Sequence, residues 1–274
     1  MTLCLHTNTS AGAGYRRALE GWARAGISLV ELDAALVDAF LATDTIEGAR
    51  GVLADNGLTA VHGAVGVGGL VAPNPRHAEA IDRFKARLEM FAHLGVRKVY
   101  ATALGDRRIA LEDYTVVAAQ LRAVGDAARA FDMSCSVEFA RSSPYLSTLL
   151  TALRVTRDAA HPNVGVLFDF YHFWSGLNRF EDLDAIQAGE IAHVHFQDVP
   201  DGPRELLDSQ TRVIPGDGVA PIVPTLRTLA EKGYAGPVSV ELFLPRFRDG
   251  DPFAVASEIR VKCETLMARA REGA

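Results

Sequence analysis

Residues 134–139 read SCSVEF, 164–170 VGVLFDF, 191–196 IAHVHF and 238–243 VSVELF. Each is a short apolar run rich in β-formers, with one metal-binding side chain at its end: Glu138, Asp169, His195 and Glu241. A carboxylate at the end of a buried strand is costly unless something pairs with it. Four such positions in succession, carrying Glu, Asp, His and Glu, point to a divalent cation as that partner. Every gap between them exceeds the dozen or so residues that a crossover between parallel strands requires. Together these features predict a site at one end of a barrel.

Outward from these four runs, the chain alternates strand and helix. Further strand-like runs fall at Leu3–His6, Ser28–Leu32, Leu58–His62 and Lys98–Ala101, and the four quoted runs extend over Ser134–Phe139, Gly165–Phe170, Ala192–Gln197 and Val238–Phe243. Several are near-continuous Val/Ile/Leu stretches, as expected for strands covered on both faces. Between them, Ala78–Leu94 places Ile81, Phe84, Leu88 and Phe91 on one helical face, and Leu111–Phe131 and Phe253–Arg269 have helix-favouring composition. Gly26, Gly57, Gly95 and Gly233 each stand between a helical run and a strand, where a left-handed C-cap is wanted. Eight βα units with right-handed crossovers open into a doubly wound sheet or close into a barrel. In an open sheet four strand ends would spread over about 15 Å, at about 4.8 Å per strand; in a barrel they converge. The prediction is an α/β fold, a (β/α)8 TIM barrel over residues 1–274 as one domain, with its chemistry at the C-terminal face of the strands.

Composition narrows the function. With 274 residues and 49% hydrophobic content, one large core is within reach, and no linker or low-complexity stretch divides the chain. A net charge of −6 is a poor match for a nucleic-acid-binding face. No apolar run reaches the roughly 18 residues that span a bilayer, and MTLCLHTNTS lacks the pattern of a secretory signal. Cys4, Cys135 and Cys263 show no CxxC spacing and read as free thiols in a reducing compartment. A cytoplasmic protein with a small-molecule substrate, no nucleic-acid or membrane partner, and room for a homo-oligomer is expected.

Three carboxylates and an imidazole are a hard, oxygen-rich donor set. It suits one octahedral divalent ion, Mn²⁺ first, with Mg²⁺ or Co²⁺ as close alternatives and Zn²⁺ as a further one. Four protein ligands on such an ion leave two positions for neighbouring oxygens of a sugar. His193 and His195 lie two apart on one strand and share a face. His195 is the expected ligand because it is nearer the C-terminal end, and His193 is expected one layer deeper as a hydrogen-bonded core histidine. Each carboxylate alone could equally be a rim residue in an ion pair.

The segments VEFA (137–140), FDFYHFW (168–174), HVHFQD (193–198), TRVIPGDG (211–218) and SVELF (239–243) resemble the xylose isomerase-like TIM-barrel family of sugar isomerases and epimerases. The similarity runs over nearly the whole chain and is greatest toward the inosose (2-keto-myo-inositol) isomerase branch. By that resemblance the metal ligands fall on Glu138, Asp169, His195 and Glu241. A histidine three residues after the Asp falls on His172, and a substrate-binding arginine ahead of a PG-G turn falls on Arg212, followed by Pro215, Gly216 and Gly218. An epimerase subgroup carries an Arg six residues after the metal His, where this chain has Asp201, which counts against a ketohexose 3-epimerase.

The implied chemistry is proton removal beside a carbonyl through a metal-stabilised enediolate. Glu138 and Glu241 each bind the ion through one oxygen and exchange a proton through the other. His172 is expected to bond a substrate hydroxyl, or else tether a loop. Arg212 is expected to orient or neutralise a developing oxyanion, or else form a surface ion pair. Weaker candidates for lining the pocket are His6, Asn8, Glu31 and His62 near the ends of the first three strands. Trp174 is a candidate wall against sugar C–H groups, with packing under a loop as its alternative. The Gly-rich segment 63–70 reads as a loop over the site, because it leads into APNPR rather than a helix.

Other enzyme classes fit less well. A three-zinc abasic-DNA endonuclease needs a ligand near the end of the fourth strand, where KVYATAL has none. A Schiff-base aldolase needs a lysine at a strand's C-terminal end, and Lys98 starts its strand. Arg204, Arg212, Arg246 and Arg248 are scattered rather than clustered, so an unphosphorylated polyol or keto-sugar is expected. The rival within this chemistry is a dehydratase acting on 3-dehydroshikimate or a keto-inositol, since the same enediolate can expel a β-hydroxyl. A barrel that keeps its metal only to bind a sugar is the non-enzymatic alternative.

Overall fold

A computed structural model describes residues 1–104 and 110–272. Its eight strands are β1 (Thr2–His6), β2 (Leu29–Asp33), β3 (Thr59–Ala64), β4 (Lys98–Thr102), β5 (Ser134–Glu138), β6 (Val164–Asp169), β7 (Ile191–His195) and β8 (Pro237–Val240). They pair in sequence order, all parallel, and β8 closes on β1. The predicted (β/α)8 barrel is the observed one.

Strand periodicity explains the ligand-bearing runs. Glu138 is flanked by Val137 and Phe139, Asp169 by Phe168 and Phe170, and His195 by Val194 and Phe196. Successive side chains alternate faces, so a polar group turned into the barrel sends both apolar neighbours outward under the helices. There the rings interlock: Phe168 lies 6.1 Å from Phe139, 5.4 Å from Phe170 and 5.0 Å from Phe173, and Phe170 lies 5.3 Å from Phe196. All five are fully buried. Burying each ring contributes roughly 1.5–3 kcal/mol, so the layer that holds the strands is also what aims the ligands inward.

Helices His77–His93, Asp113–Arg129 and Pro252–Arg271 occupy the predicted segments, shifted by one or two residues at their ends. Gly26, Gly57, Gly95 and Gly233 all have φ between 63° and 88°, which confirms the cap positions. The cysteines are all buried and free. Among the described residues no helix is long and apolar enough to cross a membrane.

All four ligand-bearing strands stop one to three residues earlier than their patterns suggest, and two of these stops have a visible cause. The β6 ladder ends at Asp169 because that side chain accepts from the His172 backbone N–H at 2.6 Å and caps the short helix Phe170–Ser175. The β8 ladder ends at Val240, where the Thr9 hydroxyl takes over. It donates to the Val240 carbonyl at 3.0 Å and accepts from the Leu242 N–H at 3.1 Å.

Register sets which side chains meet. Thr102 pairs with Glu138, and His6 with Glu31. Two register shifts complete the pattern. Between β2 and β3 the pairing passes from Val30↔Ala60 to Glu31↔His62, and between β6 and β7 from Val166↔Ile191 to Leu167↔His193, so that Asp169 pairs with His195. A slip of one residue exchanges the two faces of a strand. The extra residue in β7 is therefore what turns His195 inward beside Asp169.

Candidate metal centre at the barrel mouth

Glu138, Asp169, His195 and Glu241 converge at the C-terminal end of the barrel, and one donor atom from each lies within 4.8 Å of the others. His195 Nδ1 stands 3.1 Å from Glu138 Oε1 and 3.5 Å from both Asp169 Oδ2 and Glu241 Oε2. Donors at about 2.1 Å from a six-coordinate ion sit about 3 to 4.2 Å apart, so these spacings suit one ion. All four residues are buried.

Charge makes the same case. Three buried carboxylates face one guanidinium, Arg212, which pairs with Glu241 Oε2 and lies 3.5 Å from Asp169 Oδ2. Two negative charges are left over, which is what one divalent ion neutralises. Burial would raise the Asp169 and Glu241 carboxyls, but Arg212 together with the nearby imidazoles outweighs it and holds both below the ordinary carboxylate range. Burial would lower His195, yet Glu31 and Glu241 hold it well above the usual imidazole value. A proton and a metal ion compete for such a nitrogen, and the field that favours one favours the other.

The outer oxygens of the two glutamates are also held. Thr102 Oγ1 donates to Glu138 Oε2 at 2.7 Å, and Asn8 Nδ2 donates to Glu241 Oε1 at 3.1 Å. Each glutamate thus turns one oxygen to the shared centre and the other to a neutral donor. Asp169 Oδ2 also accepts from Gln197 Nε2 at 2.6 Å. Sequence reasoning missed Thr102 and Gln197. Thr102 passes for an ordinary β-former, whereas the QD that follows HVHF was a visible polar interruption.

The centre opens into a cavity of about 410 Å³ whose lining includes Asn8, Glu138, His172, Arg212, Glu241 and Phe243. Val65, Gly66, Val67 and Gly68, from the Gly-rich loop, line it too. Arg212 Nη2 donates to His172 Nε2 at 3.1 Å. That leaves His172 Nδ1 and Arg212 Nε as buried donors without partners, and such groups are expensive unless a ligand meets them. Burial holds the His172 imidazole below its ordinary value, so it is neutral.

Arg212 reaches the mouth because the turn after it is pinned. Asp198 accepts from the backbone N–H groups of Val199, Gly216, Gly218 and Ala220 at 2.8 to 3.1 Å. At Gly218 an added Cβ would meet the Val199 carbonyl oxygen at 2.2 Å, so only glycine fits.

Four expected wall residues stand elsewhere; one, Glu31, is 0% exposed and bonded to His193 and His195 away from the cavity lining. His6 and His62 are 0% and 1% exposed and lie beneath the cavity rather than on it. His6 Nδ1 accepts from the Asn8 backbone N–H and Nε2 lies 3.3 Å from the Tyr100 hydroxyl. His62 stacks on His193 at 3.9 Å and 7°. β3 runs two residues past His62, and His6, the last residue of β1, holds its ring against the Tyr100 hydroxyl; neither ring reaches the cavity wall. Trp174 packs on Phe173 at 4.9 Å and Phe180 at 6.1 Å, the packing role rather than a cavity wall. His193 is the deeper, hydrogen-bonded histidine anticipated, bonded to Glu31 Oε2 at 2.9 Å.

A family model described as a xylose isomerase-like TIM barrel matches residues 19–262. An inosose isomerase from Bacillus licheniformis is 32% identical over 174 residues, covering 62% of this chain and 63% of that protein. A 3-dehydroshikimate dehydratase from Pseudomonas putida is 26% identical over 176 residues, 61% of this chain and 27% of that protein. The matches therefore span less than two thirds of these relatives. A crystal structure of the IolI protein with a bound zinc atom superposes with a TM-score of 0.89 at 22% identity, covering 98% of this chain and 99% of that one.

Proposed function

Because this chain belongs to the xylose isomerase-like TIM barrel family, we propose that it is a divalent-metal-dependent isomerase or epimerase of an unphosphorylated keto-sugar or keto-inositol. The carrying observation is the pair Glu138 and Glu241. They stand on well-separated strands, each with one oxygen near His195 Nδ1 and the other at a neutral donor beside the cavity. The inosose isomerase relative supports the substrate class.

Glu138, Asp169, His195 and Glu241 would hold the ion, Mn²⁺ by preference for hard donors, with Mg²⁺, Co²⁺ or Zn²⁺ as alternatives. When bound, it supplies Lewis acidity to a carbonyl oxygen and the adjacent hydroxyl, worth several kcal/mol of charge stabilisation. One glutamate takes the proton from the carbon beside the carbonyl, and the C–H electron pair moves toward the carbonyl oxygen. In an isomerase the glutamate just protonated returns that proton to the neighbouring carbon while the hydroxyl proton passes to the former carbonyl oxygen; in an epimerase the other glutamate would deliver a proton drawn from solvent to the opposite face. Neutral His172 donates its Nδ1–H to a substrate hydroxyl. Arg212 keeps Glu241 ionised and offers its unpartnered Nε–H to developing negative charge.

The test is Glu138→Gln, which keeps shape and removes the base. Turnover of keto-inositols and entry of solvent deuterium into substrate should fall by about 10²–10⁴-fold with circular dichroism unchanged. Deuterium entry at the wild-type rate would refute the role.

The Pseudomonas putida relative favours a second reading, dehydration. The same proton removal would then be followed by loss of a β-hydroxyl as water, with the newly protonated Glu138 handing its proton to the leaving oxygen. A conjugated, ultraviolet-absorbing product identifies that outcome.

A further inference from the structure

Beneath the four candidate ligands lies a second cluster that the proposed reaction does not use. Glu31, 0% exposed on β2, is its hub. Its Oε1 lies 3.2 Å from His195 Nε2, and its Oε2 lies 2.9 Å from His193 Nε2. His62 Nδ1 stands 3.2 Å from Oε1 but out of hydrogen-bonding alignment. The His62 ring stacks on His193 and lies 5.7 Å from Tyr100 in a further stack.

An imidazole can ligate through one nitrogen only if that nitrogen carries no proton, and the partner of the other nitrogen decides which one does. His195 Nδ1 faces three carboxylate oxygens. Its Nε2 faces Glu31 Oε1 at 3.2 Å, a carboxylate oxygen buried from water. A carboxylate can only accept, so Nε2 carries a proton, and with an ion on Nδ1 it is the one ring nitrogen that does. His193 holds the second oxygen of Glu31, and the ring stack behind His193 leaves that side chain nowhere to turn.

We propose that Glu31 is the positioning residue of the cation centre. By accepting the Nε2–H of His195 it fixes ring orientation and tautomer, presents the Nδ1 lone pair to the ion, and raises that nitrogen's donor strength. His193, backed by His62, holds Glu31 in register. This rests on the divalent-cation reading above but asks nothing of the reaction or its substrate.

The experiment measures Zn²⁺ affinity of wild type and Glu31→Gln by competition with a chromophoric chelator, alongside nitrogen-15 histidine NMR of the Zn²⁺-loaded proteins. Glu31→Gln should bind Zn²⁺ about 10–100-fold more weakly, with unchanged circular dichroism. The His195 Nε2–H resonance should move upfield and exchange faster with water. Equal affinity and an unmoved Nε2–H resonance would overturn the proposal and leave the cation reading standing. A wild-type protein that binds no Zn²⁺ overturns both. The wild-type spectrum also decides independently of any variant's folding: a His195 proton on Nδ1, or none on Nε2, rules the proposal out.

Discussion

Two layers of one barrel use the same residue types in opposite proportion. At the mouth, Glu138, Asp169 and Glu241 surround one imidazole with one guanidinium nearby. One layer below, a single carboxylate, Glu31, is surrounded by the imidazoles of His62, His193 and His195. The lower layer satisfies its one buried anion with hydrogen bonds from the rings of His193 and His195. The upper layer keeps three carboxylates against one guanidinium, an excess that an acquired cation would neutralise. Similar burial and chemistry thus yield a structural plug in one place and a binding site in the other, and the ratio of acids to bases decides which.

Acid should break the lower layer. Burial holds His62 near pKa 3, with His193 also below the ordinary imidazole value. These folded-state values are depressed, so the stability they confer is present above the unfolded value of about 6.5 and is lost as pH falls toward the folded one. Each such ring should contribute a loss of about 1.4 kcal/mol per pH unit below pH 6.5, and the share of His62 should level off near pH 3. Denaturant titrations of the metal-free protein between pH 7 and 4.5 measure this slope; a flat profile would erase the distinction between the layers.

Cations should answer the upper layer. Free Mn²⁺ at about a hundred times its Kd should add about 2.7 kcal/mol to unfolding stability. Asp169→Asn should lose most of that increment while keeping the acid slope, which separates the layers within one molecule. Thermal melts with and without chelator read both. The smallest effect is expected at Thr102→Val, which removes the 2.7 Å bond to Glu138 Oε2. At roughly 0.5–1.5 kcal/mol for one hydrogen bond, turnover should change by about tenfold or less with ion affinity little altered.

The barrel was legible because its signals agree across scales: eight β-rich runs, helices with a 3.6-residue repeat and glycines at the caps. Glu138, Asp169, His195 and Glu241 stood out because each interrupts an apolar run that would otherwise stay unbroken. Depth was not legible. Whether His6 or His62 reaches the cavity depends on which way each ring turns and how deep it sits, and nothing in the residue order fixes that. Register was equally hidden. The shift at Val166/Leu167 that seats His195 beside Asp169 leaves no compositional trace, because Ala192 reads like any other strand residue. Trp174 illustrates a third gap: a large ring beside a site in sequence can turn to neighbours such as Phe180 that only the tertiary fold supplies.

Asp169 divides its two oxygens between different tasks. One starts the helix that carries His172, through the His172 N–H, and the other faces the candidate ion position. Whatever pulls on the second oxygen is felt by the first turn of that helix. Under the proposed reading, filling the centre and setting the wall that carries His172 would be one mechanical event, so an ion bound first would shape that wall before a substrate arrives.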